Sequence, residues 1–422
     1  MADAAHPFRI RDFRFYWTAR LASTVAQMSM IIVIGWQVYD IARRTMDLEK
    51  AALQLGFIGL VQFVPLFALT LVTGWVADRV DRRYIARASI ALELFCASVL
   101  AALTYTHSTT LPWLFAIAAL LGVARAFAGP ALGALAPNLV PREVLPRAIA
   151  LSSMAWQSGA IAGPAVGGYL YAWSPHMPYA VSSGLFALSL FCMFMIRPIA
   201  RSAIGGSSNP WRQMVDGLHY VRRNRLVLGA ISLDLFAVLL GGATAMLPVF
   251  ARDILHSDST ALGHLRAAPA VGATITALYF SWRPLKHDVG TKMLAAVAVF
   301  GAATIAFGLS RNLMLSVACL ALLGSADMVS VYVRQSLIQL HTPDAMRGRV
   351  SAASTLFISA SNELGEAESG FLAALIGPVV AVVAGGIGAI AVTLLWARWF
   401  PELRRARTFD PPDELAREGA TA

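Results

Sequence analysis

Residues 74–83 read Gly74-Trp-Val-Ala-Asp78-Arg79-Val-Asp81-Arg82-Arg83, between apolar runs at 52–76 and 84–105. Each run is long enough to cross about 30 Å of hydrocarbon as a helix. A link this short, with two acids and three arginines in it, predicts two helices that turn back at a membrane face and leave their charges in the headgroup region.

The same alternation recurs along the chain. Apolar runs at 15–38, 52–76, 84–105, 111–133, 148–171 and 178–196, then 226–250, 261–280, 291–309, 313–335, 350–373 and 377–398, predict twelve spans. Composition agrees: 57% of the 422 residues are apolar and only 14% are charged, against roughly a quarter charged in soluble domains. Twelve spans of about 20 residues use about 240 residues, close to the apolar total. Mean hydropathy is +0.63. Most soluble enzymes of this length are thereby excluded. Helices are favoured because lipid forces the backbone to bond within its own segment, and the short alternating segments of a membrane β-barrel are absent.

Charge placement gives the orientation. Arg9, Arg11 and Arg14, the 79–87 arginines, Arg142, Arg147, Arg201, Arg212, Arg222, Arg223, Arg225, Arg283, Arg347, Arg349 and Arg404 to Arg407 fall on one side. Arg43, Arg44, Lys50, Arg252 and Arg311 fall on the other. The positive-inside rule then expects both termini of this multi-pass protein in the cytoplasm. The net charge of +10 is explained by this topology; the clusters form no continuous nucleic-acid-binding stripe. Cys96, Cys192 and Cys319 lie apart in apolar segments and read as small buried hydrophobes.

The longest polar interval, Arg197 to Arg225, divides the chain. The expected organisation is an N-terminal six-helix bundle at 1–196, a cytoplasmic connector at 197–225 with an amphipathic helix from Trp211 to Val221, a C-terminal six-helix bundle at 226–400, and a cytoplasmic tail at 401–422. Pro141, Arg147 and Gly168 recur at a constant offset as Pro343, Arg349 and Gly370, which favours two related halves.

Charges inside apolar runs are the candidate transport or coupling residues, because lipid makes an unpaired charge expensive. These are Glu93, Arg125, Asp234, Asp327, Glu363 and Glu366. Asp40, Arg266, Arg334 and Glu368 lie nearer span ends, where water is easier to reach. Glu363 and Glu366 share a helix face, so two readings stand: a proton-linked switch, or acids that pair with interior arginines and hold helices together. Arg125 can pair with an acid of another span, receive an anionic substrate group, or snorkel. Gly159, Gly163 and Gly167 are spaced by four, with Pro164 and Gly168 beside them. That helix-packing pattern admits a neighbouring backbone and a bend, in a moving helix or a static interface alike.

The 74–83 stretch resembles the signature loop of the major facilitator superfamily. The resemblance implies that Asp78, Arg79, Arg82 and Arg83 belong to a cytoplasmic gate network that stabilises the outward-facing state; Asp81 stands where the motif has glycine. Arg125 with Gly129 resembles the family's span-4 arginine motif, and Gly159 to Gly168 the span-5 motif of its antiporters. More narrowly, Trp36-Gln37-Val38-Tyr39-Asp40, Leu139-Val-Pro141, the run Arg334 to Val350, and Asn362 to Gly370 resemble the bacterial transmembrane secretion effector branch, which includes enterobactin-type siderophore exporters.

The resemblance implies an all-α integral membrane protein of the major facilitator fold, with 12 transmembrane helices in two six-helix bundles. It further implies a single chain, monomeric by default, that exports a small amphiphilic molecule such as a siderophore or drug by alternating access. A proton gradient replaces any cofactor, and no metal site is expected. An importer or facilitator of the same fold, or a non-transporting receptor or scaffold, is the alternative. No catalytic residues are expected, since no nucleophile elbow, phosphate loop or His-x-x-His set is present.

Overall fold

The computed structural model describes residues 6–141, 144–197, 210–283 and 285–409, and among them the regular elements are all helical. In chain order they are α1 (Arg11–Ala42), α2 (Leu48–Arg79), α3 (Arg82–Tyr105), α4 (Leu111–Leu135), α5 (Leu145–Trp173), α6 (Met177–Met195), α7 (Pro210–Arg223), α8 (Arg225–Leu240), α9 (Leu247–Val249), α10 (Ser259–Trp282), α11 (Val289–Leu309), α12 (Leu313–Leu340), α13 (Asp344–Ile376), α14 (Pro378–Trp399) and α15 (Pro401–Arg405). Among the described residues, nine stretches are long and apolar enough to cross a membrane.

Large apolar side chains face outward on these helices: Phe95, Trp113, Phe191, Met314, Leu375 and Leu394 are all more than half exposed. Soluble monomers avoid such surfaces. Lipid solvates them without cost, so the chain is an all-α, multi-spanning membrane protein.

The chain forms two compact units, Met1–Ser207 with Pro248–Ala267, and Ser208–Leu247 with Ala268–Ala422. In the first, α1 packs on α5 and α6, α2 on α4, and α3 on α4 and α6. In the second, α8 packs on α13 and α14, and α11 on α12 and α14. Small residues set these distances. A Cβ on Gly163 would lie 2.6 Å from Met28 Cβ and 2.8 Å from the Val25 carbonyl oxygen, and one on Gly159 would lie 2.7 Å from Thr24. The glycines of α5 therefore let α1 approach backbone to backbone. Gly168 points elsewhere, against Ser259 and Gly263 of α10.

One expected span is interrupted. The run 226–250 leaves the α-helix at Leu240, passes through Gly241, Gly242 and a 3₁₀ turn over Ala243–Met246, and ends in a π-turn over Phe250–Ile254. Two consecutive glycines loosen the helix, and Gly242 meets Gly365 and Ser369 of α13 so closely that no Cβ fits between. The connector helix α7 packs on α13. Asp216 pairs with Arg349 at 3.1 Å, and the Tyr220 hydroxyl donates to the His341 carbonyl at 2.7 Å.

Gly163→Ala is expected to cost about 1–3 kcal/mol by overpacking and to lower the thermal midpoint of the detergent-solubilised protein. Gly129→Ala, where nothing lies within 4 Å of the added carbon, should leave that midpoint unchanged.

Candidate functional site

The interior of the first unit contains a polar layer. Glu93 of α3 is 2% exposed and accepts from Nε2 of Gln27, on α1, at 2.9 Å. Arg125 of α4 donates from Nη1 to Gln62 Oε1, on α2, at 3.2 Å, and lies near enough to Glu93 to act on it electrostatically. Four helices thus converge on one acid, one guanidinium and two amides. The amides were the legible but unread signal: a glutamine in an apolar run needs a partner as surely as a charge does.

In the second unit Asp234 of α8 forms an ion pair with Arg334 of α12, their side chains only 5% and 2% exposed. Arg334, expected near a span end with access to water, is instead one of the largest fully buried side chains. The helix α12 continues to Leu340, five residues past the expected limit at 335, so Arg334 sits inside a packed helix. Beside the pair, Asp234, Ala237, Val238, Val297, Phe300, Ala326, Asp327 and Ser330 line a small cleft with a volume of about 10 Å³.

The turn between α2 and α3 is fixed by Asp81. Its carboxylate caps α3 by accepting from the Arg83 backbone N–H at 2.9 Å and grips the Arg83 guanidinium at 2.6 Å. Arg83 also reaches the Ile196 carbonyl at 3.5 Å, which ties the turn to the end of α6. The acid in the motif's glycine position therefore has its own task. The hydrogen bond from Arg83 outweighs partial burial and holds the Asp81 carboxyl below the usual range. Arg82 is half-buried. The side chains of Asp78, Arg79 and Glu363 lie outside the described residues; Glu366 is half-buried on α13.

At the far end of α1 stands a second ionic cluster. Asp253, in the π-turn, accepts from the Tyr39 hydroxyl at 2.6 Å and from Arg43 at 3.1 Å. Asp40 pairs with Arg44 at 2.9 Å and with Arg252. By sequence, Arg43, Arg44 and Arg252 served only as markers of topology. The informative signal was an acid near each of them, Asp40 and Asp253. Partly exposed pairs of this kind are each worth about 0–1 kcal/mol, so the cluster is held weakly.

Among the described residues no cluster of His, Cys, Asp or Glu could hold a metal ion. Long apolar helices around a buried ion pair, with charged turns at their ends, fit a membrane transporter. The chain matches the family described as Transmembrane secretion effector over residues 2–413, and it belongs to that family. It is a secondary transporter for a small molecule, a multi-pass protein of a bacterial inner membrane. It is 28% identical over 411 residues to the enterobactin exporter EntS of Escherichia coli O1:K1, covering 94% of each chain. It is equally identical over 419 residues to the O157:H7 protein of the same name, covering 96% of each. In fold it is similar to a D-xylose-proton symporter, with a TM-score of 0.71 at 13% identity over 94% of this chain and 99% of that one. A bacterial Spinster homologue in an inward-facing state gives 0.72 at 13% identity, over 95% and 99%.

Two results are expected of the polar residues. Glu93→Gln keeps an oxygen acceptor for Gln27 and should unfold close to wild type, whereas Glu93→Leu strands a buried amide at about 1–3 kcal/mol, read by thermal unfolding. For Asp81 the folded pKa is depressed, so its stabilising pair is present above the unfolded value and is lost only as pH falls through the folded one. Between about pH 5.5 and 8 it stays ionised, and Asp81→Asn should change transport by one constant factor across that range.

Proposed function

We propose that this protein exports a small amphiphilic molecule, of siderophore or drug type, in exchange for protons. Twelve spans in two six-helix bundles would carry the cycle, with both termini cytoplasmic and one chain sufficient. The pairing order supports that count, since α1 on α5 and α6 and α3 on α4 and α6 correspond to α8 on α13 and α14 and α11 on α12 and α14. Close approach of Gly272 to Ala321 and of Gly324 to Pro269 extends the correspondence, with α10 on α12 matching α2 on α4.

The observation that carries proton drive is Glu93 with its neutral partner. Gln27 Nε2 donates to the carboxyl whether that group is ionised or protonated, so the hydrogen bond survives while the charge facing Arg125 changes. A proton can thus alter the electrostatics of the bundle without dismantling it. Arg79, Arg82 and Arg83 with Asp78 and Asp81 would form the cytoplasmic gate, and Tyr39, Asp40, Arg43, Arg252 and Asp253 the periplasmic latch. Outward release of cargo then requires the latch to open. The kinship to enterobactin exporters makes a catecholate siderophore the first cargo to try.

The test uses everted membrane vesicles with an acid interior. Addition of a catecholate siderophore or a lipophilic drug should dissipate the pH gradient only in vesicles that contain the protein. Flux with no effect on the gradient would replace exchange by facilitated diffusion, and no flux of any probe would leave a receptor or scaffold. Asp253→Asn should loosen the latch, with hydrogen–deuterium labelling of the backbone amides over residues 250–257 rising severalfold. Unchanged labelling would remove Asp253 from the gate.

A further inference from the structure

We propose that the cleft between α8, α11 and α12 is a monovalent-cation site in which Asp327 takes the driving ion. The inference rests on the transport reading above and adds to Glu93, in the first unit, an ion site in the second.

The residues are arranged for it. Asp327, Ser330 and Arg334 follow at spacings of three and four, so they form one stripe down α12, and Asp234 meets that stripe from α8. Asp234 is committed to Arg334. Asp327 makes no hydrogen bond or ion pair with any described residue, although its side chain lines the same cleft. With both acids ionised, two carboxylates face one guanidinium and the group carries one negative charge in excess. Hydrocarbon surroundings penalise an excess charge, and a single monovalent cation removes it.

Ser330 supplies an independent pointer. It is 2% exposed, lines the cleft, and its Oγ has no hydrogen-bond partner. Several helical hydroxyls in this protein bond back to the carbonyl four residues earlier, Ser89 to Ile85 at 2.9 Å, Thr274 to Ala270 at 2.8 Å and Thr304 to Phe300 at 2.9 Å, whereas Ser29 and Ser354, like Ser330, do not, and of these three only Ser330 lines the cleft. The Ser330 oxygen forgoes that bond and remains free to accept or donate in the cleft.

No other described charge lines it. Of the helices packed on α8, α11 contributes Val297 and Phe300, while Lys292 of α11, Glu366 and Glu368 of α13 and Arg398 of α14 are absent from the lining. The walls are otherwise Ala237, Val238 and Ala326, apolar groups that keep the electrostatics of the acids strong.

If the ion is a proton, an O–H bond forms on the Asp327 carboxylate at the expense of hydronium, and water is released. If it is sodium, the Asp327 carboxylate and Ser330 Oγ offer hard oxygen ligands. Either way the charge of the cluster falls to zero. Asp234 stands on the segment that runs through Gly241 and Gly242 to Asp253, which gives the bound ion a covalent route to the latch.

The experiment uses full-length protein in proteoliposomes, with cargo flux driven by a pH gradient in sodium-free choline buffer or by a sodium gradient at constant pH. One of the two gradients should drive wild-type flux. Asp327→Asn should reduce gradient-driven flux at least about tenfold while cargo counterflow and the thermal midpoint stay near wild type. Ser330→Ala should raise the ion concentration for half-maximal flux severalfold. A merely structural role would depress counterflow and stability with the driven flux. If Asp327→Asn fails to fold, Asp327→Glu and Ser330→Ala carry the test through the same shift in apparent ion affinity. Wild-type ion dependence in both Asp327→Asn and Ser330→Ala, or in both of those fallback variants, overturns the site and leaves the transport reading intact. A wild-type protein with no driven flux under either gradient overturns both.

Discussion

A charge within hydrocarbon must be paired, hydrated or neutralised, and that constraint organises this protein more than any packing preference. It explains why Asp234 and Arg334 meet across two helices at almost complete burial, and why Glu93 is met by Gln27 inside its bundle. Breaking a buried pair by removing one partner costs about 3–5 kcal/mol. Such groups therefore act as fixed points, and their charge can change only if an ion arrives or leaves.

The polar contacts at the helix ends follow the opposite rule. Arg43 and Asp253 retain partial exposure, with side chains 27% and 17% accessible, and Arg44 is 69% accessible. Water can replace each of these partners at little cost, which suits contacts that must part in every cycle. Strong pairs inside and weak pairs at the ends divide the work in the proposed mechanism: the interior senses the ion, and the ends open. The interrupted helix at Gly241 and Gly242 is held against α13 by the absence of side chains.

The sequence made the membrane class, the helical hairpins and the small-residue face of α5 legible, because each depends on local composition. Gly159, Gly163 and Gly167 meet α1. Pairings between distant segments were less legible. Asp81 could be seen as a departure from a motif, yet its role as cap and partner of Arg83 depends on three-dimensional geometry at the turn. Arg334 was misjudged because its depth follows from how far α12 extends and what it packs against. The Asp253 cluster joins residues more than two hundred positions apart, and no periodicity reports a contact of that kind. The two amides of the polar layer were overlooked for a simpler reason, since attention to charge passes over neutral groups that also need partners.

The central claim is reciprocal opening at the two ends. Spin labels at Thr45 and Ser257, beside the latch, and at Tyr84 and His287, on the arginine-rich side, permit double electron–electron resonance distances for both ends in one lipid environment. On addition of the driving ion with cargo present, the account predicts that the first distance lengthens in the same population in which the second shortens. Distances that lengthen together, or that ignore ion and cargo alike, would contradict it.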